Sequence, residues 1–264
     1  HQLCEPNAVG VLVLDDLPAS APAVQVATRQ IALDRSVGGK RLSDGIAVVV
    51  TGNRRQDRSA ASTLPAHFRN SVVLLEVAVG YEAWAQWAAG HGVHSSVIGF
   101  LGYRPALLST LPGDADEVGA FATPRTWAMV GRLAQAGVSG RELHCAAAGL
   151  VGQGAALEYR AFRNLLSQID PRAVLLDPAQ PLTADQPDRA YATATGIGAV
   201  AAEWGQDGHP RQGEAAGLLA RALAALCLDV PEYALVSWGA YQAGGGWVGD
   251  VLRAMDAEIE AGNE

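Results

Sequence analysis

Two short apolar runs, each followed at once by polar residues, constrain the fold of this chain more than any other feature. The first run, Val9–Leu14, leads into Asp15 and Asp16, and the second, Ile46–Val50, leads into Thr-Gly-Asn at residues 51–53. Runs of this kind are typical of strands buried on both faces, as in a parallel sheet. Ligands of open α/β sheets bind at the carboxyl ends of the strands, so we expect both polar tips to lie on one edge of one sheet.

The stretch between the two runs predicts a helix and a hairpin. A serine cap with proline in the first turn, at residues 20–22, begins the helix, and Gly38-Gly39 is expected to end it. The segment Val37–Gly45 predicts a hairpin closed by its Asp-Gly turn. A third apolar run, Val72–Val77, is expected to form a further strand. Strands that alternate with helices indicate an α/β fold.

Strand signals nearly vanish after Gly80, and this change predicts three regions. Residues 1–78 form a partial α/β core, residues 79–169 an α-helical region, and residues 170–264 a mainly helical C-terminal region. The last region begins with a Pro- and Asp-rich stretch, Asp170–Asp188, and in the block that follows, Arg189–Glu264, only Tyr233–Trp238 and the glycines at 244–246 depart from a helical composition. The helices expected in the middle region are Tyr81–Ala89, Ser95–Leu101, Thr123–Ala136, Gly140–Leu150 and Ala155–Ile169.

Composition excludes several classes of protein. The net charge of −8 argues against general nucleic-acid binding, which needs clustered lysine and arginine. No apolar run reaches the roughly 20 residues that a membrane-spanning helix requires. Three cysteines without metal-ligand spacing predict neither a disulfide framework nor a zinc site, so we expect a reducing, cytoplasmic setting.

The polar tips carry the candidate chemistry. A carboxylate such as Asp15 at the end of a strand can hold Mg²⁺ beside a nucleotide's phosphates, and a second carboxylate, Asp16, can orient an attacking water. The amide of Asn53 can donate to a γ-phosphate on the same edge. A purely structural interpretation stays open, because strands often end in aspartate and an Asx turn commonly follows them.

The segment Phe121–Trp127 is a third candidate. Thr123 is placed to cap a helix that Pro124 opens, which puts Arg125 in the first turn. A cation there opposes the helix dipole, so Arg125 suggests an anionic partner. A solvated surface arginine is the alternative.

The order of these features resembles that of the AAA+ ATPases, and their MoxR-like branch fits best. The resemblance spans roughly residues 9–135 and rests on the polar tips and on three segments. These segments are Leu-Asp-Arg-Ser-Val-Gly-Gly at 33–39, Thr-Gly-Asn-Arg at 51–54 and Phe-Ala-Thr-Pro-Arg-Thr-Trp at 121–127.

The resemblance implies a remnant of a parallel P-loop NTPase sheet, a helical lid formed by residues 79–169, and ATP with Mg²⁺ as cofactors. Asp15 matches the Walker B acid, and Asp16 the position of the catalytic glutamate. Asn53 matches the sensor 1 residue, and Arg125 the sensor 2 arginine. Such proteins usually form hexameric rings that remodel or chaperone a partner protein; the client is not identified by these residues.

This sequence departs from the family pattern in three places. No G-x-x-x-x-G-K-[ST] loop is present, so the chain looks truncated and is expected to bind ATP poorly by itself. Asp16 is shorter than the glutamate it replaces. Ser71 stands where the family has its arginine finger, although Arg69 lies close enough to serve a neighbouring subunit.

Two further interpretations complete the sequence analysis. The chain is alternatively a catalytically degenerate interaction or adaptor subunit of an AAA+ ring, which the replacements at Asp16 and Ser71 favour. The segment Gly-Ile-Gly-Ala-Val-Ala at 196–201 matches a dinucleotide-binding pattern. A poor strand precedes it, so we predict that its glycines serve helix packing.

Overall fold

The computed structural model describes residues 2–53, 66–110, 119–177, 186–229 and 231–243, together with positions 246, 249, 251 and 253. The chain divides into two compact units, residues 1–77 and residues 78–264. The first unit contains the described strands, and the second is built from helices. The division into three regions at residues 78 and 169 stays a prediction.

The first unit is built around a pair of parallel strands. The strand Val9–Leu14 pairs with the strand Gly45–Val50 in register from Val9 opposite Gly45 to Leu14 opposite Val50, so the expected parallel pairing of the two apolar runs is confirmed. The elements of this unit are β1 (Val9–Leu14), α1 (Pro22–Ala32), β2 (Ser36–Val37), β3 (Lys40–Arg41), β4 (Gly45–Val50) and the short α2 (Ala66–Arg69).

The hairpin between α1 and β4 differs from its prediction. Gly38 and Gly39, with φ angles of 55° and 77°, form the turn that joins β2 to β3. They do not end α1, whose last residue is Ala32. The Asp-Gly pair at 44–45 closes no hairpin, because Gly45 begins β4. A two-residue turn with positive φ at both positions favours Gly-Gly, which explains why the chain reverses there.

The predicted third strand is wrong. Val72–Val77 forms no strand in the structure, and Val73 and Val77 are 86% and 90% exposed. A strand requires a hydrogen-bonded neighbour, and β1 and β4 pair only with each other among the described strands. The apolar composition of this segment is therefore not matched by burial.

β1 is also more exposed than the sequence predicted. Val9, Val11 and Val13 are 85%, 62% and 53% exposed, whereas Ile46 on β4 is buried. A strand buried on both faces needs layers on both sides of the sheet. The described part of the first unit leaves the valine face of β1 uncovered, and Val49 on β4 is 44% exposed, so the expectation of two-sided burial is wrong for both strands.

The second unit is helical throughout its described residues. It includes all five helices predicted between residues 81 and 169, with ends that differ from the predicted ones by a few residues. None of the helices in the described residues is long and apolar enough to span a membrane. The helices are α3 (Tyr81–Ala89), α4 (Ser95–Tyr103), α5 (Pro124–Gln135), α6 (Gly140–Val151), α7 (Gln153–Ser167), α8 (Pro171–Leu176), α9 (Pro187–Trp204), α10 (Gln212–Asp229) and α11 (Pro231–Ala243).

Trp127 lies at the centre of one core of this unit. The side chain is fully buried, packs beside Phe100 and Tyr159 at ring-centroid distances of 5.4 and 5.8 Å, and donates from Nε1 to the carbonyl of Leu107 at 2.7 Å. Along α5 the apolar face repeats at helical spacing, with Val130 also buried. The core thus satisfies the indole N–H while burying the large ring.

The C-terminal helices pack against those that precede residue 169. α11 contacts α9, α4 and α3, and it includes the stretch Tyr233–Trp238, whose composition had not predicted a helix. Burial of Tyr233 and Val236 between helices outweighs their weak intrinsic helix propensity. A Cβ atom added to Gly198 would overlap the carbonyl oxygen of Ser237, so the predicted packing role of this glycine is confirmed.

Candidate functional site

The candidate site lies at the carboxyl edge of the β1–β4 pair. The backbone pairing continues past the ends of both strands: Thr51 N donates to the carbonyl of Leu14 at 3.1 Å, and Leu17 N donates to the carbonyl of Thr51 at 3.1 Å. These bonds fix the residues that follow β1 beside those that follow β4. The expectation that both polar tips meet on one edge is therefore confirmed in the backbone.

Thr51 joins the two tips through its side chain. Its hydroxyl donates a short hydrogen bond to Oδ1 of Asp15, and it accepts a hydrogen bond of 3.0 Å from the backbone N–H of Asp16. The Asp15 carboxylate is thereby oriented while its side chain stays exposed. Thr51 is a site residue that the sequence pattern did not indicate. Its position as the first polar residue after a strand is the signal that was available.

Asp16 is held in a rare backbone conformation. Its φ and ψ angles of 50° and 39° lie in the left-handed region, which aspartate tolerates better than most residues. It precedes the 3₁₀ turn Leu17–Ala19 but makes no side-chain hydrogen bond to that turn. The exposed carboxylate is therefore not used as a cap.

The Thr-Gly-Asn tip packs closely against the turn that follows Asp16. A Cβ atom at Gly52 would overlap the ring of Pro18, so this position has no room for a larger residue. Asn53 comes next and is exposed. Within the described part of the chain, its amide has no hydrogen-bond partner.

The two predicted arginines belong to α2 and α5 and not to the tips of the strands. Arg69 is exposed at the end of α2, and in the described residues no hydrogen bond or ion pair joins it to Asp15, Asp16 or Asn53. Arg125 belongs to the second unit, so its placement against the edge stays a prediction.

The local prediction around Arg125 is confirmed. Thr123 caps α5 by accepting from the N–H of Thr126 at 3.1 Å, the Thr126 hydroxyl accepts from the N–H of Thr123 at 2.8 Å, and Pro124 opens the helix. Arg125 is exposed, and no carboxylate pairs with it among the residues described. Both the anion-binding interpretation and that of a solvated arginine fit this environment.

The edge has few potential ligands for a cation. No group of three or more histidine, cysteine, aspartate or glutamate side chains is placed to hold a metal ion within the described ranges. The exposed carboxylate of Asp15 nevertheless fits Mg²⁺, which usually takes one or two carboxylates and fills its other positions with water and phosphate oxygens.

The segment whose sequence comes nearest to a phosphate-binding loop does not form such a loop in the structure. Gly38-Gly39-Lys40-Arg41 forms the β2–β3 turn and strand, whereas a phosphate loop leads from a strand into a helix. The described edge therefore offers groups for a metal and a water but no cradle for a triphosphate.

Comparisons of this chain with protein-family models, with curated proteins and with solved structures give no match. The AAA+ resemblance accordingly rests on the residue pattern between positions 9 and 135. The geometry of the strand edge is an independent observation, because parallel pairing and the Thr51–Asp15 hydrogen bond do not depend on that resemblance.

Proposed function

We propose that the chain is part of a MoxR-like AAA+ ATPase that couples Mg²⁺-dependent ATP hydrolysis to the remodelling or chaperoning of a partner protein. The observation that carries the proposal is the hydrogen bond from Thr51 to Asp15 across the carboxyl edge of a parallel strand pair. It fixes a carboxylate where α/β proteins bind ligands. It also leaves that carboxylate exposed to solvent.

Each residue of the edge has one role in this proposal. Asp15 holds Mg²⁺, which supplies charge that offsets the developing negative charge on the phosphates. Asp16 orients the attacking water, a role supported by its exposed carboxylate and the absence of a cap bond to the turn. Asn53 donates its amide to the γ-phosphate, a role supported by its lack of a partner within the described residues.

In this proposal the two arginines act on the nucleotide and not on the metal ion. Arg125 senses the bound nucleotide and moves the helical lid against the core as hydrolysis proceeds. Its exposure and its position in the first turn of α5 support that role. Arg69 reaches the γ-phosphate of a neighbouring subunit in a homo-oligomeric, hexameric ring.

The test measures stabilisation by nucleotide in three forms of the complete gene product. We expect ATP with Mg²⁺ to raise the melting temperature of the wild type, EDTA to remove the rise, and Asp15→Asn to abolish it, because a neutral amide binds Mg²⁺ poorly. Asp34→Asn is the matched control, since Asp34 is another exposed aspartate of the first unit. Equal stabilisation of the wild type and Asp15→Asn would refute the metal role.

A catalytically degenerate adaptor subunit is the second candidate function. The exposed valine face of β1 and the exposed run Val73–Val77 favour it, because large uncovered apolar areas mark surfaces that contact other polypeptides. The coding sequence upstream of residue 1 discriminates between the two candidates. A G-x-x-x-x-G-K-[ST] segment there supports the ATPase, and its absence from an intact gene supports the adaptor.

A further inference from the structure

A half-open cavity lies between α6 and α7 of the helical unit. Its volume is about 220 Å³. Its wall includes the side chains of His144, Tyr159, Arg160, Arg163 and Asn164, and no aspartate or glutamate is part of it. The lining therefore carries positive charge although the net charge of the chain is −8.

No carboxylate among the described residues pairs with the two arginines of the cavity. Arg160 and Arg163 are three residues apart on α7 and so are neighbours on one face of the helix, where like charges repel. Neither forms an ion pair with any residue that the structure describes. Glu158, the acid of this helix, pairs instead with Arg104 at 3.1 Å.

The charge of Arg163 acts on the surrounding protein. Arg163 is half-buried, and its positive charge adds to burial in lowering the pKa of His94. Burial raises the pKa of Tyr159, and the same positive charge works against that rise. No described carboxylate neutralises the charge of this half-buried guanidinium. It can therefore bind an anion from outside the chain.

One buried nitrogen in the wall of the cavity also lacks a hydrogen-bond partner among the described residues. Nδ1 of His144 is buried and has none among the described residues. Unsatisfied buried nitrogens are rare in native proteins and often mark a place that water or an ion completes. This observation does not depend on the arginines, and His144 belongs to the same cavity wall.

We propose that this cavity binds the phosphate dianion of a small molecule through Arg160 and Arg163. Guanidinium groups bind phosphate oxygens with paired, charge-assisted hydrogen bonds, and two of them match the charge of a dianion. The amide of Asn164 supplies further donors in the wall. A volume of about 220 Å³ accommodates a phosphate group.

The test is calorimetric titration of the full chain with inorganic phosphate at constant ionic strength, with acetate as the singly charged comparison. We expect phosphate to bind and acetate to bind far more weakly. Arg163→Gln and Arg160→Gln should each weaken phosphate binding about tenfold or more, because each removes a charge-assisted hydrogen bond. Arg132→Gln, an exposed arginine of α5 outside the cavity, should bind phosphate as the wild type does.

Two further measurements identify the source of the phosphate and check that each variant folds. Ribose 5-phosphate that binds more tightly than inorganic phosphate identifies a phosphorylated small molecule, and equal binding identifies free phosphate. Circular dichroism verifies that each variant is folded, and the exposed Arg160 gives a variant with little effect on packing. Absence of phosphate binding to the wild type, or unchanged binding in both arginine variants, overturns the proposal.

Discussion

His94 links a helix cap to a buried hydrogen-bond chain through one imidazole nitrogen. Nδ1 accepts from the N–H of Ser96 at 3.1 Å and lies 2.8 Å from the Ser96 hydroxyl, which in turn lies 2.8 Å from the hydroxyl of Tyr159. Burial lowers the pKa of His94, and the positive charge of Arg163 lowers it further. The folded protein therefore favours the neutral ring, whose Nδ1 remains free to accept.

At the residue scale, this pKa predicts a loss of stability in acid. An unfolded histidine has a pKa of about 6.5, so the unfolded state binds a proton first as the pH falls. The contribution of His94 to the free energy of unfolding is fully present above pH 6.5. It is lost progressively as the pH falls from there to the pKa of His94 in the folded state. His94→Asn keeps an N-cap acceptor but does not titrate, so its free energy of unfolding should fall less between pH 7.5 and 5 than that of the wild type.

Urea unfolding at the two pH values provides the measurement for His94. The difference between wild type and variant should be at most about 1.4 kcal/mol for each pH unit below 6.5. His91→Asn, at an exposed ring on the preceding turn, is the control and should keep the acid sensitivity that His94 causes. A loss of stability in His94→Asn equal to that of the wild type would contradict the assignment.

Close contacts between helices rest on glycines at the element scale. Gly198 on α9 lies against the carbonyl oxygen of Ser237 on α11, and the hydroxyl of Ser237 donates to the carbonyl of Ala194 at 2.6 Å. A side chain on Gly198 would separate the helices and strain this bond. The same contact explains why α11 forms over residues whose composition favours strand, since packing supplies what propensity lacks.

Alanine substitutions at two helical glycines should therefore act in opposite directions. Gly198→Ala is expected to destabilise the protein by about 1–3 kcal/mol, the usual range for overpacking against a fixed backbone. Gly217→Ala on α10 is the matched control, because in the described part of the chain no atom of another element lies within 4 Å of the added Cβ. It should be neutral or stabilising by up to about 1 kcal/mol. Chemical denaturation measures both values, and a Gly198→Ala variant as stable as Gly217→Ala would rule out the contact.

The two units differ as whole bodies in how well each buries its apolar residues. The helical unit encloses large side chains such as Trp127, Tyr159 and Leu219 almost completely. The first unit leaves Val9, Val11 and the run Val73–Val77 largely exposed. Hydrophobic burial is the main stabilising term in folding, so we expect the two units to differ in their ability to fold alone.

Expression of each unit alone tests this difference. Residues 78–264 should fold by themselves and melt in one cooperative transition, followed by circular dichroism at a helix-sensitive wavelength. Residues 1–77 should self-associate, because their apolar sheet face and apolar run are uncovered; sedimentation velocity detects this. A monomeric, cooperatively folding 1–77 fragment, or a 78–264 fragment without a transition, would contradict the expectation.

Local signals in the sequence determined several elements in both units. Thr123 followed by Pro124 specifies where α5 begins, because a hydroxyl acceptor and a ring with fixed φ act within one turn. The apolar runs Val9–Leu14 and Ile46–Val50 likewise determined two strands and their parallel pairing. Position after a strand was enough to select Asp15, Asp16 and Asn53, although not Thr51, whose hydroxyl had no visible partner in the sequence.

Only the tertiary structure decided the rest, because it depends on which segments become neighbours. Val72–Val77 has the composition of a strand, yet it forms none, since a strand exists only through hydrogen bonds to another segment. Tyr233–Trp238 became helical because α9 lies against it. The cavity with Arg160 and Arg163 could not be predicted either: the sequence shows two arginines three residues apart, and only the packing of α6 on α7 places them in a cavity wall that includes no acid.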